Sequence, residues 1–472
     1  MKKIIIFLIV FIGSLFINVK ETYAQSSFYQ AEYIPNIYMN KYNPQDKLIH
    51  YHQARVIRDS KTNKFAYCLE PFTNLNNNQD YIQSENPDKY SAPQLETIPL
   101  IAYFGYGYKD HTDPKWYAIT QMLIWKTVYP NASYYYTSTA NGEKISFWNE
   151  ENEIFELIAE YQKNTSFNNK TYTIVTGNKF REHDYNKVLN TYKPTNPDIK
   201  INGNNIETSI LTTGTYEIVL EKQTPIYEEP ILFFISNTNQ DVITIGKPQT
   251  KTNIIKINVV ETELIINKLD YDTSLPIAQG QASLNKTVLS LYTEANVFIR
   301  DIKLTENNQA IIKNLKFGTY YMQEKTPGTG YTLNKDKYKF TLSPNNISAI
   351  INIKNKVIKG TLIIKKEYGT TNAFKPEANI SFNIYNHNNE LIKTIITNEL
   401  GIAEITLPYG KYKLSQLTTT EGYQKIEPIE FEIKVNDEII KKELKNYKIT
   451  VPNTSTRSFL SIILNILKEL LW

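Results

Sequence analysis

Cys68 is the one residue whose type most directly suggests covalent chemistry, because it is the only cysteine among 472 residues and cannot form an intramolecular disulfide. In an exported protein, such an odd thiol is expected either to pair between molecules or to react. The alternative is a structural cysteine that packs as a small hydrophobic side chain. Residues 65–69 alternate in a pattern that predicts a strand, which would hold the sulfur in place.

The amino terminus predicts export. Met1-Lys2-Lys3 is followed by an apolar run from Ile4 to Val19, and Thr22-Tyr23-Ala24 resembles a signal-peptidase site. We therefore assign residues 1–24 to a signal peptide. One cysteine, 35 tyrosines and a net charge of +4 suit a secreted, β-rich surface protein. No basic patch with interleaved aromatic residues stands out, so nucleic acid is not expected as a partner.

The sequence contains few residues at the spacing typical of metal ligands. His50 and His52 share one face of a predicted strand, but no third ligand is apparent, so two packed or solvated histidines are expected. The polar stretch 74–80 lacks the carboxylate spacing of a calcium loop. We expect neither a metal nor a cofactor.

Helical spacing of apolar residues appears between two β-rich stretches. It predicts helices over residues 96–104, 114–128 and 149–162. The third helix is expected to turn Phe155, Leu157 and Ile158 inward. The β pattern then returns, with a hydrophobic strand over residues 230–235 followed by a short loop and Gln240.

The pair Tyr67-Cys68, the helix segment Thr120-Gln121-Met122-Leu123-Ile124-Trp125 and the late Gln240 resemble the thioester domains of Gram-positive surface adhesins. The resemblance covers roughly residues 28–250, and we place this domain at residues 25–258. It implies an internal thioester between the Cys68 sulfur and the side-chain carbonyl of Gln240. It also places Thr120 and Gln121 on a helix that lines the site, with Gln121 as the alternative acyl donor.

That chemistry accounts for a lone cysteine. The thiolate would attack the carboxamide, ammonia would leave, and an activated acyl group would remain inside the fold. Tyr67, Trp116, Tyr117 and Trp125 could shield it from water, although ordinary core packing would also explain them. A lysine amine of a host extracellular or cell-surface protein could then take the acyl group and become covalently bound.

An internal repeat of roughly ninety residues follows, and we place its copies at residues 259–358 and 359–449. The first copy aligns Lys268, Glu324 and Asn355 with Lys366, Gln416 and Asn446 of the second. Both copies read as all-β modules. The predicted fold is therefore multidomain and mainly β: a mixed α/β thioester head, built as a β-sandwich or barrel with a helical subdomain, and two immunoglobulin-like β-sandwich modules.

Period-two alternation along the strands of the first copy places the side chains of Lys268, Glu324 and Asn355 in one hydrophobic interior. Buried there, they must be paired or have reacted. The copies resemble Cna B-type (SpaA-like) modules of pilins and adhesins, which implies a Lys268–Asn355 isopeptide bond assisted by Glu324. Hydrogen bonding alone is the alternative. Gln416 stands at the acid position of the second copy and cannot relay protons, so a Lys366–Asn446 bond is not expected unless another acid, such as Glu404, reaches the pair.

The carboxyl end contains Val451-Pro452-Asn453-Thr454, which resembles a sortase sorting motif, within a segment that we place at residues 450–472. Only 14 residues from Phe459 follow it, which is short for a membrane span. We expect attachment to the cell wall or a pilus through sortase, and an adhesin rather than an enzyme. Two alternatives are a secreted peptidase or transglutaminase-like enzyme that uses Cys68 with His111 or His183, and a noncovalent ligand-binding surface protein.

Overall fold

The computed structural model describes residues 26–76, 81–84, 87–209, 212–450, 463–464 and 466–468. The predicted signal peptide and the sorting-like motif lie outside these residues. The described chain forms two compact units, one built mainly from residues before 258 and the other mainly from residues after 257. Both are rich in strands, as the sequence predicted, and the α-helices between residues 87 and 209 are confined to the first unit.

Fifteen strands lie within the described residues before 261, most of them wholly in the first unit. They are β1 (Phe28–Asn43), β2 (Leu48–Asp59), β3 (Phe65–Cys68), β4 (Ile82–Ser84), β5 (Ser133–Thr137), β6 (Lys144–Ile145), β7 (Thr171–Val175), β8 (Lys179–His183), β9 (Tyr192–Pro194), β10 (Lys200–Asn202), β11 (Asn205–Ser209), β12 (Gly214–Lys222), β13 (Phe233–Ile235), β14 (Val242–Thr244) and β15 (Thr252–Val260). The α-helices of the first unit are α1 (Ala92–Phe104), α2 (Lys115–Val128) and α3 (Trp148–Gln162).

The largest sheet has the strand order β4-β13-β14-β3-β2-β1-β5-β6. Its short strand β3 lies between β14 and β2, so the stretch that ends at Cys68 is held from both sides. Helix α2 contacts β1, β2 and β3, and it is buried from Trp116 to Trp125. Two smaller sheets follow, with the orders β10-β11-β8 and β7-β15-β12-β9.

The predicted helices are present, but the inner face of α3 differs from the prediction. Ile154, Ile158 and Tyr161 are buried, at the i, i+4 and i+7 spacing of a single helix face. Phe155, which we expected inside, is 43% exposed. Ile158 is buried and Leu157 packs against the core as predicted, so the prediction is wrong for Phe155 alone, and Ile154, one residue earlier, is buried in its place.

The second unit contains two β-sandwich modules. The strands of the first are β16 (Glu263–Asp270), β17 (Val288–Thr293), β18 (Phe298–Lys303), β19 (Gln309–Lys313), β20 (Gly318–Thr326), β21 (Lys337–Leu342) and β22 (Ser348–Asn355). Those of the second are β23 (Lys359–Thr370), β24 (Ala373–Pro376), β25 (Ser381–Asn386), β26 (Leu391–Ile396), β27 (Ile402–Pro408), β28 (Gly410–Gln416), β29 (Ile429–Ile433) and β30 (Glu438–Tyr447).

Each module pairs its first strand with its last strand in parallel. In the first module, sheet β19-β16-β22 faces sheet β18-β17-β20-β21 across a hydrophobic core. In the second, β24-β23-β27, with β30 on β23, faces β26-β25-β28-β29. The strand register places Lys268 opposite Ile353 and Lys366 opposite Leu444. Two residues after Ile353 and Leu444, on the same face of the strand, come Asn355 and Asn446.

Among the described residues, no helix combines the length and the apolar character that crossing a bilayer requires.

Candidate functional site

Cys68 ends strand β3 in the interior of the first unit, where it is 4% exposed. It pairs antiparallel with Val242 of β14, and the backbone N–H of Leu69 donates to the carbonyl of Asp241 at 2.9 Å. This pairing brings the loop that carries Gln240 alongside the end of β3. The thiol is therefore positioned by backbone hydrogen bonds on the strand that the sequence predicted.

Gln121 clamps the backbone of Cys68. Its Oε1 accepts from the Cys68 N–H at 2.8 Å, and its Nε2 donates to the Cys68 carbonyl at 2.7 Å. Both ends of this buried carboxamide are thus occupied by the residue that carries the thiol. The hydroxyl of Thr120 donates to the Trp116 carbonyl at 2.6 Å and accepts from the Tyr106 N–H at 3.1 Å, so it braces the start of α2.

Gln240 lies two residues before β14 and is 4% exposed. Its Nε2 donates to the carbonyl of Thr73 at 2.8 Å and to the carbonyl of Glu70. These two acceptors belong to the loop that leaves Cys68, so the carboxamide is held against that loop. Cys68, Gln121 and Gln240 together line one cavity of about 630 Å³.

Asp241, which the sequence analysis did not single out, anchors the Gln240 loop. Its fully buried carboxylate accepts from Tyr90 Oη and from the Ser236 N–H, each at 2.8 Å. Lys89 Nζ lies 2.7 Å from the Asp241 carboxylate and 2.6 Å from that of Glu70. The network ties the loop after Cys68 to the loop that carries Gln240. An aspartate beside the candidate glutamine was the available signal.

Trp125 is the one residue among the four proposed aromatic shields that lines the cavity. Tyr67 and Tyr117 stack with ring centroids 4.8 Å apart in the core behind β3. Trp116 stacks on His111 at 3.6 Å. Core packing therefore describes three of these residues, while Trp125 forms part of the cavity wall.

Lys41 also lines the cavity, although nothing in its sequence setting distinguished it. Its side chain is buried in the wall at the level of Trp125. Burial lowers the pKa of the Lys41 amine to about 8. Burial also raises the pKa of the Cys68 thiol, and the Lys41 charge opposes that rise. At neutral pH the thiol is therefore the stable form of Cys68 until a base removes its proton.

Neither histidine considered for a cysteine enzyme lines the cavity. His111 Nδ1 lies 2.8 Å from the Phe104 carbonyl, and His183 Nδ1 lies 3.0 Å from Asn205 Oδ1. The histidines that do line it are His50, whose Nε2 lies 2.6 Å from Asp46, and His52, which packs edge-on against Trp125. No group of three potential metal ligands occurs within the described part of the chain.

The first β-sandwich module brings Lys268, Glu324 and Asn355 into contact in its interior, on the faces that strand alternation predicted. Their exposed fractions are 0%, 5% and 1%. Lys268 Nζ donates to Asn355 Oδ1 and lies 3.6 Å from Glu324 Oε1. Asn355 Nδ2 donates to the two Glu324 carboxylate oxygens at 2.9 and 2.7 Å. Burial lowers the pKa of the Lys268 amine to about 8, which favours the neutral, nucleophilic form.

The second module has a different acid from the one that the sequence repeat indicated. Lys366 Nζ lies 2.6 Å from Glu377 Oε2, and Asn446 Nδ2 donates to the same oxygen at 3.2 Å. All three residues are at most 1% exposed. Within the described residues, no donor reaches Asn446 Oδ1. Burial lowers the pKa of the Lys366 amine, while Glu377 opposes that shift.

Gln416, which occupies the acid position of the repeat, and Glu404, the alternative acid, both lie elsewhere. Gln416 donates to the Thr418 carbonyl at 2.8 Å and accepts from the Ile426 N–H at 3.1 Å, so its carboxamide is used by a neighbouring loop. Glu404 is exposed on β27. Glu377 follows β24, where its N–H donates to the Lys366 carbonyl at 2.9 Å. Since it lies outside the repeat register, only its position eleven residues after Lys366 could have drawn attention to it.

Two family models match parts of the chain. A model of the thioester domain matches residues 65–164, and a model of the SpaA prealbumin-like fold domain matches residues 262–357 and 360–448. No curated protein matches the chain.

Several solved structures are weakly similar to the chain. The Bacillus anthracis TIE protein is 18% identical over 90% of this chain and 84% of its own, with a TM-score of 0.35. The thioester domain of the Staphylococcus aureus TIE protein is 18% identical over 50% of this chain and 99% of its own, with a TM-score of 0.38. GBS52, the minor pilin of Streptococcus agalactiae, is 18% identical over 42% of this chain and 100% of its own, with a TM-score of 0.23.

Proposed function

The chain is a thioester-domain protein with two SpaA-like prealbumin-fold domains, and on that premise we propose that it is a bacterial surface adhesin that captures its partner covalently. In this proposal Cys68 and Gln240 form an internal thioester, and a lysine amine of a host surface protein takes the acyl group. The observation that carries it is the meeting of the Cys68 thiol and the Gln240 carboxamide at one cavity. Attachment through sortase to the cell wall or a pilus belongs to the same proposal.

Gln240 is favoured over Gln121 as the acyl donor because of what each carboxamide already binds. Gln121 uses both ends to hold the backbone of Cys68, at 2.7 and 2.8 Å. The Gln240 nitrogen, by contrast, is held by two carbonyls, which leaves its side-chain carbonyl carbon as the electrophile and its nitrogen as the leaving group. Attack by the sulfur would release that nitrogen as ammonia.

We further propose that both prealbumin-fold modules are cross-linked, Lys268 to Asn355 and Lys366 to Asn446. In each, the neutral lysine Nζ attacks the asparagine carbonyl carbon, and ammonia leaves. Glu324 in the first module and Glu377 in the second transfer a proton from Nζ to the departing nitrogen. The contacts of Glu377 support a second cross-link where the sequence, which offered Gln416, did not. Each bond would join the first strand of a module to its last.

Intact mass of the secreted chain tests the proposal. We expect a deficit of three ammonia molecules: one from the thioester and one from each isopeptide bond. Methylamine should add its mass once, at Gln240, as located by peptide mapping. Cys68→Ala should retain two deficits and lose the methylamine response. A thiol at Cys68 that is free and alkylatable in freshly folded protein would refute covalent capture and leave a cysteine enzyme or a noncovalent binder.

A further inference from the structure

Lys41 lies in an unusual setting for a lysine. It belongs to β1 and is 7% exposed. Its Nζ donates to the carbonyl of Pro71 and lies 4.4 Å from the centroid of the Trp125 ring. Pro71 belongs to the loop that leaves Cys68, and Trp125 belongs to α2. The amine is therefore fixed where the strand, the loop and the helix meet around the cavity that Cys68 and Gln240 also line.

Burying a charged amine destabilises the fold unless a carboxylate pairs with it, so an unpaired buried lysine suggests a functional role. Among the described residues, no carboxylate forms an ion pair with Lys41. Glu70 and Asp241, the carboxylates of the two loops beside Cys68 and Gln240, are both engaged by Lys89, at 2.6 and 2.7 Å. Burial lowers the pKa of the Lys41 amine and raises the pKa of the Cys68 thiol, and the charge of each group opposes the shift of the other.

We propose that Lys41 is the acid–base group of the thioester site. Its neutral amine takes the proton of the Cys68 thiol as the sulfur attacks the Gln240 side-chain carbonyl carbon. The ammonium then returns that proton to the carboxamide nitrogen, the C–N bond breaks, and ammonia leaves. The inference rests on the proposed Cys68–Gln240 thioester and adds the residue that moves its protons.

The same amine would serve capture. An incoming primary amine attacks the thioester carbonyl carbon, and Lys41 takes one proton from its nitrogen. The C–S bond then breaks, and Lys41 gives that proton to the departing sulfur. The products are an amide on Gln240, a thiol on Cys68 and Lys41 in its original state, so one amine balances both steps.

The other charged and titratable side chains around Lys41 already contact other residues. On β2, His50 is bound to Asp46 and His52 packs edge-on against Trp125. Arg55 lies over the Tyr33 ring at 3.7 Å and donates to Gln30. On β5, Tyr134 Oη donates to the Trp125 carbonyl at 3.2 Å. Lys41 is thus the buried amine that lines the same cavity as the Cys68 sulfur.

The test compares full-length secreted protein carrying Lys41→Met, Lys41→Arg and the control Lys222→Met. Lys222 is another lysine of this unit that is 4% exposed and has a pKa lowered to about 8 by burial, but it lies against Tyr161 and Tyr192, outside the cavity lining. We expect wild type and Lys222→Met to show the methylamine-sensitive ammonia deficit. Both Lys41 variants should form it at least 10-fold more slowly, since methionine carries no proton and the guanidinium does not release one.

A pH profile of the wild-type protein tests the role of Lys41 even if a variant fails to fold. The rate of methylamine opening, divided by the fraction of neutral methylamine, should rise with pH as Lys41 loses its proton, with a midpoint below the ordinary lysine pKa of 10.5 because the amine is buried. A flat profile, or full-rate thioester formation in either Lys41 variant, overturns the inference while the thioester stands. A wild type without any methylamine-sensitive deficit instead refutes the proposed function.

Discussion

Replacing Glu377 with glutamine tests the second cross-link most directly. The change keeps the size of the side chain but removes the group that we assign to proton transfer between Lys366 and Asn446. We expect the variant to keep one more ammonia than wild type, with an unlinked Lys366. Glu404→Gln is the matched control, because it makes the same change on the exposed face of β27.

The stability change can be estimated from the positions of the two linked residues. Lys366 and Asn446 close a loop of about 80 residues, and the chain-entropy relation for a cross-link of that length corresponds to about 4.5 kcal/mol. Leaving the buried Lys366 amine without its carboxylate adds about 3–5 kcal/mol. The sum approaches the whole stability of a typical domain, about 5–15 kcal/mol. For a domain of this size, the first contribution alone lowers Tm by on the order of 20 °C.

Mass and thermal unfolding answer different parts of the question. Glu377→Gln would destabilise an unlinked module too, so a lower Tm does not by itself demonstrate a bond. The decisive measurement is therefore peptide mapping, in which wild type should yield one branched peptide containing Lys366 and Asn446. If that peptide persists in Glu377→Gln, or if wild type lacks it while Glu404→Gln behaves identically, the assignment of Glu377 is wrong.

Three further predictions concern other parts of the chain. Glu324→Gln should leave the first module unlinked, seen as one retained ammonia, and should lower its stability by about 4–5 kcal/mol in thermal unfolding. Gly105→Ala should destabilise the head by about 1–3 kcal/mol, because the added Cβ would lie 2.0 Å from Thr120 Oγ1; an unchanged Tm would contradict this. Lys222→Met should raise stability at pH 7 by about 1–3 kcal/mol, because no hydrogen-bond partner reaches Lys222 Nζ within the described residues. Since burial lowers the Lys222 pKa from 10.5 to about 8 in the folded chain, wild-type stability should rise between those pH values, and the variant should show a smaller rise in pH-dependent denaturation.

The first module was readable from sequence because every part of its site lies on a regular strand. Lys268, Glu324 and Asn355 each continue an alternation of buried residues, so their common orientation follows from period two alone. The same alternation correctly places Lys366 and Asn446 in the second module. The pattern has no counterpart at Glu377, which follows a four-residue strand and is turned inward by tertiary contacts.

The head was harder to predict, because its site is made of loops and of faces chosen by packing. Cys68 and Gln240 were named from a motif, but Lys41 occupies an ordinary strand position, and its burial depends on the Pro71 loop and on Trp125. The wrong prediction for Phe155 in α3 has the same origin. Phe155 and Ile154 are adjacent apolar residues, and only the partner surface decides which of them is covered.

On the proposed scheme, the chain carries out one reaction three times, and the nucleophile decides what each product is for. In both modules, nitrogen displaces ammonia from a carboxamide and yields another amide, a bond as inert as the backbone, inside a core where the reacting side chains are at most 5% exposed. At Cys68, sulfur displaces ammonia and yields a thioester, which stays reactive toward amines. That product is useful only if an amine can reach it, and Gln240 and Cys68 accordingly line a cavity whose wall includes the exposed Tyr33 and Tyr51, whereas the Lys268 and Lys366 side chains are fully buried. The difference between a permanent brace and a stored reactive group therefore follows from the atom that attacks and, at Cys68, from the cavity beside the product.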